Sequence, residues 1–185
     1  MTVFIQTDRL LLREIVPGDE AGLFALDADP EVHRYLGNRP VTTMDEVRAS
    51  IAFIRQQYAD HGIGRWAVED RATGAFLGWA GLKWMTQPAN GRVHFYDLGY
   101  RLLRAHWGKG IATEAALASV DYAFRELKAP ALYGMADCGN RGSHNVLTKA
   151  GLHFVEVFDY QGVPHHWYAL ERAEWEAAAP AGNRL

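Results

Sequence analysis

The segment Asp97-Leu-Gly-Tyr-Arg-Leu-Leu-Arg-Ala-His-Trp-Gly-Lys-Gly-Ile-Ala-Thr-Glu114 holds the residues best suited to chemistry. An apolar run that reads as a strand enters a turn holding Gly108 and Gly110, then opens directly into an alanine-rich helical pattern. The first N–H groups of a helix lack intrahelical partners, and the macrodipole makes that end positive. Glycine lets a backbone turn tightly and approach an oxyanion with no Cβ in the way. Trp107, Gly108, Lys109, Gly110, Ile111, Ala112 and Thr113 therefore form a candidate cradle for a pyrophosphate. Two glycines alone also suit a plain strand-to-helix turn. Other phosphate motifs fit less well. A P-loop needs Gly-Lys followed by Ser or Thr, whereas Lys109 precedes Gly110. A dinucleotide fingerprint needs Gly or Ala where Thr113 stands, and no β-α-β pattern begins the chain.

The elements that must position this turn follow from periodicity. Leu10-Leu-Leu-Arg13 reads as a first strand, broken by Pro17-Gly18, with Asp19 capping a short helix through Leu26. Asp29-Pro30-Glu31 opens another helical turn, with proline at its first position. From Thr43 or Asp45 a longer helix carries Val47, Ile51, Ile54 and Tyr58 at helical spacing and ends at His61-Gly62. Trp66–Val68 and Phe76–Trp79 flank Arg71-Ala-Thr-Gly74 as a hairpin, and Val93 to Leu103 is a long strand. Gly110 to Leu127 is a strong helix. Leu132–Ala136 reads as a strand, Ser143–Ala150 as a helix closed by Gly151, and Phe154–Tyr160 with Trp167–Leu170 as a second hairpin around Gly162. Residues 1–176 read as one mixed α/β domain, and residues 177–185 as a disordered tail.

Composition narrows the function classes. A chain of 185 residues fits one domain, and 49% hydrophobic residues supply a core. The net charge of −3, with no basic cluster, argues against a nucleic-acid partner. One cysteine, Cys138, excludes an intramolecular disulfide and a thiolate zinc cluster. His165 and His166 are adjacent, and strand neighbours point to opposite faces, so no metal is expected there. No basic leader or bilayer-length apolar run is present, which gives the expectation of a soluble, cytoplasmic protein without a membrane partner.

Trp107-Gly-Lys-Gly-Ile-Ala-Thr-Glu-Ala115 resembles the acetyl-CoA pyrophosphate loop of the GNAT superfamily, Gln/Arg-x-x-Gly-x-Gly/Ala. Trp107 departs from Gln/Arg, and the departure is similar to the RimJ/RimL-like branch that acetylates ribosomal-protein N-termini. Thr7-Asp-Arg-Leu-Leu-Leu-Arg13, Asp97-Leu-Gly-Tyr100 and Asn140-Arg-Gly-Ser143 with Val146-Leu-Thr-Lys-Ala-Gly151 resemble that branch in order and spacing. The resemblance implies a twisted, mostly antiparallel α+β sheet of about seven strands, its fourth and fifth strands splayed. It implies acetyl-CoA as co-substrate, no metal, and a primary-amine acceptor for a monomer or homodimer. Backbone groups of Tyr100, Arg101 and Leu102 would pair with the pantetheine arm, and Asn140 and Ser143 would also meet it. As lone residues, Asn140 and Ser143 suit an N-cap or turn equally well.

Amide formation from a thioester needs a neutral amine and a proton for the departing thiolate. The family's tyrosine acid is matched by Leu147, so Ser143 is the substitute expected here. Asp97 stands where relatives carry a carboxylate base; equally, it could be a strand-end charge paired with Arg13, Arg65 or Arg92. His94, Glu14, Glu156 and Asp159 are further candidates. Neutralising a lysine-like amine at neutral pH costs about three pKa units, roughly 4 kcal/mol, whereas a protein α-amine costs under about 1 kcal/mol. A peptide N-terminal α-amine is the first expectation; an aminoglycoside, polyamine or amino acid is the alternative, as is a non-catalytic acyl-CoA-binding module. The early helices and the Gly162 hairpin would wall the acceptor cleft with Phe24, Tyr35, Trp84, Tyr160, His165, His166 and Trp167.

Overall fold

The computed structural model describes residues 1–178, in which helix-capping and strand signals are placed much as the sequence spacing requires. The chain runs β1 (Val3–Gln6), β2 (Leu10–Glu14), α1 (Glu20–Asp27), α2 (Pro30–His33), α3 (Met44–His61), β3 (Arg65–Asp70) and β4 (Phe76–Met85). It continues with β5 (Phe95–Leu102), α4 (Ile111–Arg125), β6 (Ala131–Asp137), α5 (Arg141–Lys149), β7 (His153–Tyr160), β8 (Val163–Glu171) and α6 (Arg172–Ala178). Asp29 caps α2 by accepting the Glu31 N–H at 2.9 Å. Thr43 and Glu46 form a capping box at the start of α3, and Gly62 ends that helix in the left-handed region at φ 68°.

The described strands form one sheet in the order β1-β2-β3-β4-β5-β6-β8-β7. Every neighbouring pair is antiparallel except β5 with β6. That parallel pair holds register only at Tyr96↔Leu132 and Asp97↔Tyr133. Beyond it β5 stays paired with β4 as far as Leu102, while β6 stays paired with β8 as far as Asp137. The two strands therefore diverge, and a V opens between Leu98–Leu102 and Gly134–Asp137.

The strand period of two divides the sheet into two packing faces. Leu98 and Leu102 of β5 join Ile111, Ala115, Val120 and Phe124 in the core beneath α4. On the opposite face Leu23, Leu26, Val47 and Ile51 of α1 and α3 pack against Ala67 and Trp79. A smaller cluster of Met85, Phe95, Tyr133 and Trp167 fills the far end of the sheet. Arg13, buried, donates to both oxygens of Asp19 at 2.8 and 2.9 Å and ties β2 to the entry of α1.

Two expectations change. The sheet has eight described strands, because Val3–Gln6 adds an edge strand whose exposure shows no clean alternation and which pairs with β2 across an irregularity. Residues 177 and 178 belong to α6, and the rest of the expected tail lies outside the described residues. Just before the expected tail, Trp175 stacks on Phe124, ring centroids 5.2 Å apart, and its indole N–H donates to Asp121.

Candidate active site

The β5–α4 turn has the geometry that its glycines allow. Gly108 and Gly110 sit at φ 72° and 76°, left-handed conformations that a side chain would strain. Gly110 is the N-cap of α4, with no side chain satisfying the first-turn N–H groups. An added Cβ at Gly108 would meet nothing within 4 Å, so the turn's outer surface is open. The Trp107 indole donates to the Leu102 carbonyl at 2.8 Å and fixes the turn to the end of β5. Arg9 donates to the Lys109 carbonyl at 3.1 Å and pairs with Glu114, which also accepts from Thr7 at 2.6 Å. Burial works against the Glu114 charge, but hydrogen bonds from Thr7 and Arg9 hold its pKa below the usual carboxylate value. Glu114 is thus neutralised by Arg9, and the helix N-terminus keeps its positive field. Cradle and open V fit a pyrophosphate followed by an extended arm.

On the α4–α5 side of the V, Asn140 caps α5 by accepting the Ser143 N–H at 3.1 Å. Its side-chain NH2 has no hydrogen-bond partner among the described residues. The Tyr100 hydroxyl lies 2.9 Å from both the Ser143 carbonyl and the Ser143 hydroxyl. A carbonyl only accepts, so Tyr100 spends its proton there and Ser143 donates to the Tyr100 oxygen. Leu147 is 1% exposed and lies beneath Gly134, where an added Cβ would meet its side chain at 2.7 Å.

The opposite side of β5 carries charge. Asp97 is 6% exposed, and its Oδ2 pairs with Arg65. Arg65 also donates to the Gly81 and Asp97 carbonyls at 2.5 and 2.7 Å, so it is the arginine that holds the strand-end charge. Asp97 Oδ1 is buried with no partner among the described residues. Burial pushes the Asp97 carboxyl up, against the downward pull of Arg65 and Lys83. Lys83 stands opposite Asp97 in the sheet, and burial lowers its pKa. Further along β5, Arg101 pairs with Asp27 of α1 at 2.5 Å, beside His33. Arg65 and Arg101 both lie over the Trp79 ring.

α1 and α3 pack on this charged face, and the Tyr35 ring sits where a Cβ at Gly139 would reach within 3.2 Å. The N-terminal helical region therefore meets the β6–α5 turn across the V. Burial raises the Tyr160 hydroxyl pKa and the Asp97 charge adds to it, so the β7–β8 tip lies within electrostatic reach of Asp97. Trp167 is a core residue, 2% exposed between Phe95 and Tyr133, and does not wall the cleft. Trp84 stacks on His94 near the start of β5, and His166 stacks on His144 of α5. Glu14, Glu156 and Asp159 are engaged locally, accepting from Thr2, Asn90 and Gly162. His165 and His166 contact different neighbours, Phe158 with Tyr160 and His144 with Phe154, as their strand parity requires. A cleft of about 570 Å³, lined by Arg92, His94, Tyr96, Lys128 and Tyr133, lies at the paired end of β5 and β6, away from the glycine turn. The sequence offered Arg101 only for its backbone and gave no sign of the Arg9–Glu114 clasp or of Asp27 and His33 beside Arg101; the one available signal was an acid in the first turn of α4.

Turn, splay and buried carboxylate together could hold an acyl carrier. The Acetyltransferase (GNAT) domain family matches residues 9–153, and the chain belongs to that family. It is an acyl-CoA-dependent N-acetyltransferase, with acetyl-CoA as its co-substrate. It is similar to the uncharacterized protein YkkB of Bacillus subtilis (strain 168), 35% identical over 82% of this chain and 86% of that one. It is also similar to the FsC-acetyl coenzyme A-N(2)-transacetylase of Aspergillus fumigatus, 31% identical over 88% of this chain and 74% of that one. A solved structure of a putative ribosomal-protein-serine acetyltransferase from Vibrio cholerae shares the fold, with a TM-score of 0.74, 19% identity and coverage of 90% and 96% of the two chains. No described helix is long and apolar enough to cross a membrane.

Proposed function

We propose that residues 1–176 act as one cytoplasmic domain that acetylates a protein or peptide N-terminal α-amine, as in the RimJ/RimL-like branch. The observation that carries this reading is the charge on the face where Asp97 lies. Arg65, Lys83 and Arg101 outnumber Asp97 and Asp27, and both acids are already paired. Such a face repels a polycation and suits a single amine of low pKa. Acetyl-CoA binds with its pyrophosphate against Gly108 to Thr113 and its arm along Tyr100, Arg101 and Leu102, beside Asn140. Asp97, through its unpartnered oxygen or a water on it, takes the amine proton. Its raised pKa suits that role.

The test compares thiol release from acetyl-CoA with a free N-terminal peptide, spermidine and an aminoglycoside at one neutral pH. The peptide should give kcat/KM at least about tenfold above spermidine, whose lysine-like amines cost about 3 kcal/mol more to neutralise, with the aminoglycoside between the two. A clear preference for spermidine or the aminoglycoside overturns the acceptor assignment. Release with none of the amines leaves the non-catalytic module.

A further inference from the structure

At the end of α4 opposite the glycine turn, the cleft of about 570 Å³ opens between two loops. Small-molecule sites occupy about 300–1,000 Å³, and this volume falls among them. One wall is the β4–β5 loop with Arg92 and His94, and the other is the α4–β6 loop with Lys128 and Pro130. The 15 residues of α4, at about 1.5 Å each, set the cleft about 20 Å from the turn assigned to acetyl-CoA.

The charge in the cleft has one sign. Arg92 and Lys128 line it, and no carboxylate does. Neither cation has an ion pair or a side-chain hydrogen bond among the described residues. Arg92 rests its guanidinium over the Tyr133 ring, 5.0 Å from the centroid. Glu156, which reaches the β4–β5 loop, accepts from Asn90 there. Glu126, two residues before Lys128, is exposed and does not line the cleft. On the other charged face, by contrast, Arg65 and Arg101 are each paired with an acid.

Backbone geometry holds both cations in place. Ala89 and Arg92 exchange N–H···O bonds of 3.0 and 2.9 Å across Asn90-Gly91, whose φ values of 47° and 69° make a tight hairpin turn. His94 follows at φ 58°, and Lys128 lies at φ 51° just past α4. Glycine is the usual left-handed residue after a helix, so the backbone gains nothing from lysine there. Non-glycine residues in such strained conformations gather at ligand sites. The remaining lining is flat and apolar. Trp84 and Tyr96 supply half-buried rings in edge contact, and Leu127 and Pro130 supply aliphatic surface.

We infer that this cleft is a second ligand site, separate from the acetyl-CoA turn, for a small flat organic anion. Its carboxylate or phosphate lies between Arg92 and Lys128, and its ring body lies against Trp84 and Tyr96. A cation would meet two like charges with no acid to offset them. A bare inorganic ion would leave the aromatic surface wet. The inference does not depend on which amine accepts the acetyl group.

Titration calorimetry on the full chain, with the turn first filled by CoA, tests it. The ring anions are naphthoate and adenosine monophosphate, the ringless controls acetate and inorganic phosphate, and the cationic control naphthylmethylamine. At least one ring anion should bind one-to-one, and which one does so names the charged head. The ringless ion with the same head should bind at least about tenfold more weakly, and the amine not measurably. Arg92→Ala and Lys128→Gly should each weaken the ring anion at least about tenfold, as expected for one lost charged partner. Lys128→Gly also relieves the left-handed backbone, so its melting temperature should hold or rise while binding falls. Acetyl-CoA affinity should be unchanged in both variants. Failure of both ring anions to bind overturns the inference. So does an amine or ringless ion that binds as tightly as the ring anion, or ring-anion binding untouched by either substitution.

Discussion

The glycine turn follows β5 and the charged face is built around the same strand, and the two are made of different material. The turn, in the proposed reading, would hold its ligand with backbone N–H groups and needs only φ values near 70°, which glycines at two fixed positions supply. The charged face is assembled from side chains remote in sequence: Arg65, Lys83, Asp97, Arg101, and Asp27 from a helix. A backbone site leaves a local signature that spacing reveals. A side-chain site leaves single residues whose partners only the sheet register supplies.

The comparison breaks first at Arg65. Arg65→Met should destabilise the protein by about 3–5 kcal/mol, because it leaves Asp97 charged, buried and uncompensated. Urea denaturation checks this, and a second change, Asp97→Asn, should return much of the loss. If Arg65→Met costs less than Asp97→Asn alone, the ion pair is not what holds this face.

Asp97→Asn tests the chemistry of the same face. It should lower kcat about 10²-fold with acetyl-CoA affinity unchanged, since the amide keeps the shape but accepts no proton. The mutant rate should recover as pH rises toward the acceptor's own pKa, where solvent supplies neutral amine. Parallel pH profiles for mutant and wild type would remove Asp97 from the proton path.

The turn should behave in the opposite way. Gly108→Ala forces a side chain into the left-handed region and should cost about 1–2 kcal/mol in stability. Its open outer surface means that no clash adds to this. Lys109→Ala should cost acetyl-CoA affinity less than tenfold, of the order of one exposed charge, because the backbone does most of the holding. Calorimetric affinity and thermal melting separate the two effects.

Much of this division was legible beforehand. Gly108 and Gly110 before an alanine-rich run signalled a tight turn into a helix, and Thr43 signalled a helix start, because each depends on neighbours in sequence. Arg65 was one of three arginines that could have paired with Asp97; the β3–β4–β5 register chose it. The edge strand Val3–Gln6 had too few buried positions to show a pattern, and Trp175, just before the expected tail, carried no local sign of its partner Phe124.

The smallest expected effect lies at the Asp27–Arg101–His33 group. Burial, and then the Arg101 charge, lower the His33 pKa below its usual 6.5, with Asp27 opposing. The unfolded chain then binds a proton that the folded one refuses. Stability is full above pH 6.5 and declines as pH falls from there toward the folded pKa. His33→Gln should flatten the decline between about pH 7 and 5, read by melting temperature against pH. An unchanged slope would show that His33 binds protons alike in the folded and unfolded chains.

Titration calorimetry of acetyl-CoA into the wild type and Gly110→Asp tests the site most directly. The aspartate places a carboxylate where the pyrophosphate should lie, at a residue with φ 76° whose added Cβ would come 3.6 Å from Arg9. The account predicts saturable binding to the wild type and at least about a hundredfold weaker binding to the mutant, with the mutant still folded by circular dichroism. Equal affinity for the two proteins would place acetyl-CoA elsewhere and contradict the assignment of the turn.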